Sequence, residues 1–96
     1  IWDEAHSTGL WGKGGSGLAC EKNLHSRIFA RIYTFGKGPG VHGACVAGSQ
    51  TLVDYLINFA RPFIYTTAPP LHSLAAIRCS FEYLNQHPGL AQQLHR

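Results

Sequence analysis

Apolar and polar positions change their spacing several times along this chain, and each change marks an element. Residues 27–34 (RIFARIYT) alternate Ile28, Ala30 and Ile32 against Phe29, Arg31 and Tyr33. β-branched and aromatic residues dominate there, and that alternation predicts a strand. Residues 43–48 (GACVAG) are small and apolar, a composition suited to a buried strand. Ser49 is a good helix N-cap. From it Leu52, Val53, Leu56, Phe59 and Ala60 fall on one helical face, and Arg61-Pro62 ends the helix. Phe63 to Thr67 reads as a short strand. Pro69-Pro70 opens a second helix, because a first turn leaves its N–H groups unpaired in any case. The face of that helix is Leu71, Leu74, Ile77, Arg78, Phe81 and Leu84, and Asn85 to Gly89 break it. Residues 90–96 form a short amphipathic stub, and no internal repeat is visible.

Between these periodic segments lie two glycine-rich stretches. Residues 7–17 (STGLWGKGGSG) hold five glycines, the mark of a loop with tight turns. Leu10 and Trp11 in its middle argue for a packed loop over a flexible linker. Ile1-Trp2-Asp3-Glu4, just before it, reads as the end of a strand whose beginning lies upstream. The second stretch, Thr34-Phe35-Gly36-Lys37-Gly38-Pro39-Gly40, sets three glycines and a proline around one lysine and allows the backbone an unusual path.

Composition narrows the class of protein. Hydrophobic residues make up 45% of the chain and charged residues 14%, which is globular and not disordered. So low a charge implies that much of the surface belongs against something else. The formal net charge is +3 with the histidines neutral, but Arg27, Arg31, Arg61, Arg78 and Arg96 are scattered. A nucleic-acid footprint would cluster them. No apolar run has the length of a membrane span, and no signal-peptide pattern opens the chain. Cys20, Cys45 and Cys79 are odd in number and form no CxxC, which argues against a disulfide framework or a zinc knuckle. They read as inert thiols and suit a reducing compartment, the cytoplasm.

Two motifs carry chemistry. Asp3-Glu4-Ala5-His6 sits where an apolar strand meets a glycine loop, and open α/β sheets place ligands at the carboxyl ends of strands. An acid followed by a histidine there could serve a metal, a triad or a cofactor. The same letters occur in helicases, but no GxxxxGK[ST] phosphate loop is present and the length is wrong for one. Lys37 directly follows a hydrophobic strand, which should draw its amine toward the sheet. A desolvated amine is held neutral, and a neutral amine can form an imine. Thr34 offers a hydroxyl to a phosphate oxygen. A carboxylate for a pyridine nitrogen, a lysine for an aldehyde and hydroxyls for a phosphate are the three needs of pyridoxal phosphate.

Three blocks make the resemblance specific. DEAHSTGLWGKGGSG, then TFGKGPGVHGACVAGS, then ARPFIYTTAPP resemble, in order and spacing, the middle of the α-oxoamine synthases. That family lies within the fold-type-I (aspartate aminotransferase-like) pyridoxal-phosphate enzymes. The resemblance runs from residue 2 to about residue 85. It implies an α/β fold: a fragment of the large cofactor-binding domain, with an incomplete sheet and helices. Residues 1–86 would be its central part and residues 87–96 the start of the connection toward a C-terminal domain.

The resemblance also implies roles. Asp3 would pair with the pyridinium nitrogen and His6 would hydrogen-bond the cofactor's phenolic oxygen. Thr34 would contact the phosphate, and Lys37 would form the Schiff base. Thr66 and Thr67 match a block that reaches the phosphate of the other subunit in a homodimer. The implied reaction condenses L-alanine with a pimeloyl thioester, with loss of carbon dioxide, in biotin synthesis. A glycine-plus-acetyl-CoA version is the alternative, and GKGPGVHGA looks nearer the former. The upstream phosphate-binding turn and ring-stacking aromatic would lie outside this chain, so the fragment alone is expected to be inactive. Glu4 reads as structural, and His25, His42, His72 and His87 as surface or packing residues. Arg61 and Tyr65 read as packing residues, with a place lining the dimer contact as the alternative. A binding module without chemistry is the reading from another class. It would have no need of Lys37, Thr34 and Asp3 at this spacing.

Overall fold

The computed structural model describes residues 1–96. Strand β1 (Trp2–Asp3) leads into the glycine loop, whose single 3-10 turn spans Lys13–Gly15, and then into the short helix α1 (Leu18–Glu21). A second 3-10 turn, His25–Arg27, precedes β2 (Ala30–Thr34). The lysine loop follows, then β3 (Ala44–Gly48), α2 (Gln50–Phe59), α3 (Arg61–Ile64), α4 (Leu71–Gln86) and α5 (Leu90–Leu94). The sheet order is β1-β2-β3. β1 runs parallel to β2 with Asp3 opposite Ile32. β3 runs antiparallel to β2, from Ala30 opposite Gly48 to Thr34 opposite Ala44. The architecture is the expected α/β fragment with an incomplete sheet. No helix is long and apolar enough to cross a membrane.

Most predicted elements form, and four expectations are corrected. The strand predicted from residue 27 begins at Ala30, because His25–Arg27 close a 3-10 turn first. β3 is largely exposed where a buried strand was expected. It is an edge strand, hydrogen-bonded on one side only. Phe63 to Thr67 do not form a strand. The N–H groups of Phe63 and Ile64 both donate to the Ala60 carbonyl at 2.9 Å, so the chain coils into α3 with Pro62 in its first turn. On α4 the inward face is Ser73, Ile77, Ser80, Phe81 and Leu84, while Leu71, Leu74 and Arg78 face solvent. Arg78 Nε instead pairs with Glu82 one turn along, at 2.8 Å.

The two helix starts behave as the residues dictate. Ser49 Oγ accepts from Leu52 N at 3.2 Å, an N-cap that satisfies one of the free donors of α2. The Pro70 carbonyl accepts from Ser73 N and Leu74 N at the start of α4. The packed loop predicted for residues 7–17 is packed. Ser7, Thr8, Gly9, Gly15 and Gly17 are all buried within it. Buried residues concentrate where that loop meets the lysine loop. Phe35 lies there, edge-on to Phe81 with ring centroids 5.3 Å apart. After β3 many large apolar side chains, Tyr55, Phe59, Phe63 and Tyr65 among them, are exposed.

Candidate active site

Parallel pairing of β1 and β2 brings their carboxyl ends to one edge of the sheet. Asp3 closes β1 and Thr34 closes β2, with Asp3 in register two positions before Thr34. The chain then leaves β2 through the lysine loop. Phe35 N donates to the Gly43 carbonyl and Val41 N to the Phe35 carbonyl, both at 2.9 Å, closing the base of the loop. Gly40 N donates to the Lys37 carbonyl at 3.0 Å, closing a tight turn at its tip. Gly40 has φ +69°, a conformation that side-chain-bearing residues rarely adopt.

The tip is gripped from two sides. A Cβ on Gly38 would collide with the carbonyl oxygen of Thr8, so only glycine lets the lysine loop lie against the first glycine loop. From the other side Ser80 Oγ of α4 donates to the Pro39 carbonyl at 2.6 Å.

Thr34, Gly36, Lys37, His42, Gly43 and Ala44 line one cavity of about 520 Å³. Thr34 Oγ1 is buried and has no hydrogen-bond partner. Buried hydroxyls are nearly always paired, so this one lacks a partner that a ligand oxygen could be. A neighbouring cavity of about 450 Å³ shares His42, Gly43 and Ala44 and adds Thr67, Pro69 and Ser73. Thr67 thus approaches the lysine cavity through a shared wall. Thr66 is exposed and lines neither. Asp3 and His6 are also exposed and do not line the lysine cavity, although they leave the same sheet edge. Asp3 Oδ1 accepts from Ala5 N at 2.8 Å, which fixes the carboxylate and leaves its other oxygen free.

Lys37 differs from its sequence-based expectation, and His42, exposed as expected of a surface residue, has a placement the sequence did not show. Lys37 is exposed, not drawn toward the sheet, because the turn at the loop tip carries it past the end of β2. His42 lines both cavities, a role that its histidine-in-a-loop context did not reveal. Its position at the return of the lysine loop was the available signal.

Glu4 is the buried member of its motif. Its carboxylate accepts from Ala19 N at 2.8 Å, from Leu18 N at 3.0 Å and from Ser7 Oγ. Burial works against its charge. The hydrogen bonds from Ser7, Ala19 and Leu18 outweigh burial and hold the carboxyl below its ordinary range.

A lysine loop after one strand, beside an acid at the end of the parallel neighbour, defines a piece of a fold-type-I pyridoxal-phosphate enzyme. The chain belongs to the aminotransferase class I and II family, whose model matches residues 1–96. Within that family it is similar to the 8-amino-7-oxononanoate synthases. It is 48% identical over 92 residues to the enzyme of Emericella nidulans, covering 96% of this chain and 22% of that one. It is 41% identical over 95 residues to the enzyme of Cupriavidus metallidurans, covering 99% of this chain and 23% of that one.

Among solved structures, the 8-amino-7-oxononanoate synthase of Francisella tularensis superposes with a TM-score of 0.78 at 37% identity, over 86% of this chain and 25% of that one. A serine palmitoyltransferase from S. paucimobilis with a bound PLP–myriocin aldimine superposes at 0.85 with 27% identity, over 96% of this chain and 24% of that one. The chain therefore spans about a quarter of the length of the relatives it matches.

The residues present fit pyridoxal phosphate. Thr34, whose buried hydroxyl has no partner, and Lys37 line one cavity, and a carboxylate with a free oxygen stands at the adjacent strand end.

Proposed function

We propose that the protein to which this chain belongs is a pyridoxal-phosphate-dependent acyltransferase. It condenses L-alanine with a pimeloyl thioester, losing carbon dioxide, to give 8-amino-7-oxononanoate. The observation that carries this reading is Lys37 lining one cavity with Thr34, whose hydroxyl has no partner, in a chain 48% identical to an 8-amino-7-oxononanoate synthase. That identity favours L-alanine and the pimeloyl donor over the glycine and acetyl-CoA alternative.

Lys37 Nζ would hold the cofactor at its aldehyde carbon. Asp3 would keep the pyridine nitrogen protonated, His6 would donate to the phenolic oxygen, and Thr34 Oγ1 would donate to the phosphate. Thr66 and Thr67, exposed on the segment after α3, would reach the phosphate held by a second copy in a homodimer. When bound, the cofactor supplies a cationic ring that takes up the electron pair left on the amino acid's α-carbon. Lys37 Nζ would be the base that removes the α-proton of the bound amino acid. The backbone of its loop is closed at the base and held by Ser80 and Thr8. Residues 1–86 form the central part of the large cofactor-binding domain and residues 87–96 begin the connection out of it. The thiols of Cys20, Cys45 and Cys79 are free, in keeping with a reducing compartment, which we take to be the cytoplasm.

Borohydride reduction of the full-length protein with pyridoxal phosphate, followed by peptide mapping, tests the reading. The label should fall on Lys37. A label on another lysine, or none, overturns it. Turnover with L-alanine and pimeloyl thioester, compared with glycine and acetyl-CoA, then decides the acyl donor.

A further inference from the structure

We infer that Glu4 positions Asp3 and His6 for the cofactor, acting as a buried clamp between the end of β1, the glycine loop and the start of α1. The inference rests on the cofactor site proposed above.

The turn from Asp3 to Thr8 hangs on Glu4. Its N–H donates to the Ile32 carbonyl of β2 at 2.8 Å. Its carbonyl accepts from Ser7 N at 3.0 Å, Thr8 N at 2.9 Å and Thr8 Oγ1 at 2.7 Å. Its side chain crosses the glycine loop and accepts from Leu18 N, Ala19 N and Ser7 Oγ. Gly17 leaves room for that crossing. It stands at φ +102°, and a Cβ there would lie 2.8 Å from Glu4 Cδ. The carboxylate is 0% exposed.

Burying a carboxylate is costly unless every lone pair is used, and an apolar residue would fill the same space at lower cost. What an apolar residue lacks is direction. Three donors from two segments fix where the Glu4 side chain points, and hence how the turn leaves β1. Asp3 and His6 flank Glu4 on that turn. Asp3 is further locked to it through Ala5 N. Neither Asp3 nor His6 is buried, so packing does not hold them in place. The β1–β2 pairing and Ala5 N hold Asp3, and the turn that Glu4 anchors sets how Asp3 and His6 leave that strand. Shifts of about 1 Å in such groups cost roughly 100-fold in rate.

The test uses the full-length protein with pyridoxal phosphate, comparing Glu4→Gln and Ser7→Ala with the unchanged enzyme. Glu4→Gln puts an NH2 group against backbone N–H donors. Ser7→Ala removes one donor and disturbs the fold less, so it keeps the test open if Glu4→Gln does not fold. Four quantities are read: thermal stability, borohydride labelling of Lys37, the pH midpoint of the bound cofactor's visible absorption, and kcat with KM.

If Glu4 positions Asp3, Lys37 labelling persists in the variants while the pH midpoint moves and kcat falls about 10- to 100-fold. KM for the amino acid changes little, and Ser7→Ala shifts both in the same direction by less. A lowered melting temperature with an unmoved pH midpoint and unchanged kcat overturns the inference and leaves Glu4 a structural residue. Absence of Lys37 labelling in the unchanged enzyme is a different failure. It overturns the cofactor reading itself, and this inference with it.

Discussion

Ser80 donates its hydroxyl to the Pro39 carbonyl at 2.6 Å, joining α4 to the lysine loop across 41 positions of sequence. Pro39 is buried and lies two residues past Lys37. A helix late in the chain thus sets the height of the loop that presents the lysine.

Replacing Ser80 with alanine leaves the buried Pro39 carbonyl without that donor. A buried group left unpaired costs about 1–3 kcal/mol. Urea denaturation of the full-length Ser80→Ala variant should show a loss in that range. An unchanged midpoint would mean that water replaces the hydroxyl and that α4 does not brace the loop.

Gly38 and Gly36 provide a matched pair. A Cβ at Gly38 collides with the Thr8 carbonyl oxygen, whereas a Cβ at Gly36 meets nothing within 4 Å. Gly38→Ala should therefore push the lysine loop off the glycine loop and reduce Lys37 labelling at least about tenfold, as misplacement of a reacting group does. Gly36→Ala leaves the contact between the loops intact and should label better than Gly38→Ala. Equal labelling of the two variants would show that the contact between the loops does not place Lys37.

Glu4 gives stability a defined pH dependence. Its folded-state pKa is lowered from 4.5, so its contribution is fully present above that pH. The contribution is lost as pH falls through the depressed folded-state value, because the unfolded chain takes up the proton first. Melting temperature should decline below about pH 4.5, and the slope there should be shallower in Glu4→Gln. Parallel profiles for the two proteins would assign the acid sensitivity to other carboxylates.

Much of this arrangement is legible from residue patterns, and the parts that are not have physical causes. Ser49 and Pro70 start helices where their local chemistry predicts. The loop around Leu10 and Trp11 is packed, although Trp11 itself is exposed and the buried residues are Ser7, Thr8 and glycines. Phe63 to Thr67 mislead, because β-branched and aromatic residues favour a strand only when a neighbour exists to pair with. Here no strand lies alongside, and the Ala60 carbonyl is the available acceptor. Lys37 sits at the position the motif predicts, but its exposure follows from a turn closed by Gly40, which residue hydrophobicity does not encode. The Ser80–Pro39 contact and the shared wall at His42 depend on distant segments meeting, which local spacing cannot register.

Asp3→Asn separates electronic from binding roles. An amide cannot keep a pyridine nitrogen protonated, yet it can still accept from Ala5 N and preserve the turn. Cofactor content should stay near that of the unchanged enzyme while kcat falls by at least about 100-fold, the scale of losing one preorganised charge. Near-normal turnover would remove Asp3 from the site.

Taken alone, the 96-residue chain should self-associate. Its buried residues gather at the junction of the two loops and leave the second half thinly covered. Phe59 of α2 is 66% exposed, Tyr65 just after α3 79% and Leu71 of α4 84%. Contiguous apolar patches above a few hundred Å², roughly the limit for monomeric proteins, drive association. β3 adds a second route, since it is an edge strand whose outer N–H and C=O groups find no neighbour. The two routes can be told apart. Phe59→Asp with Tyr65→Asp should shift sedimentation at micromolar concentration toward monomer if the helix faces dominate. A proline at Val46, which removes an N–H from the middle of β3, should do so if edge pairing dominates. A chain that sediments as a monomer at about 100 µM without either change would show that the exposed apolar side chains are too dispersed to form a patch.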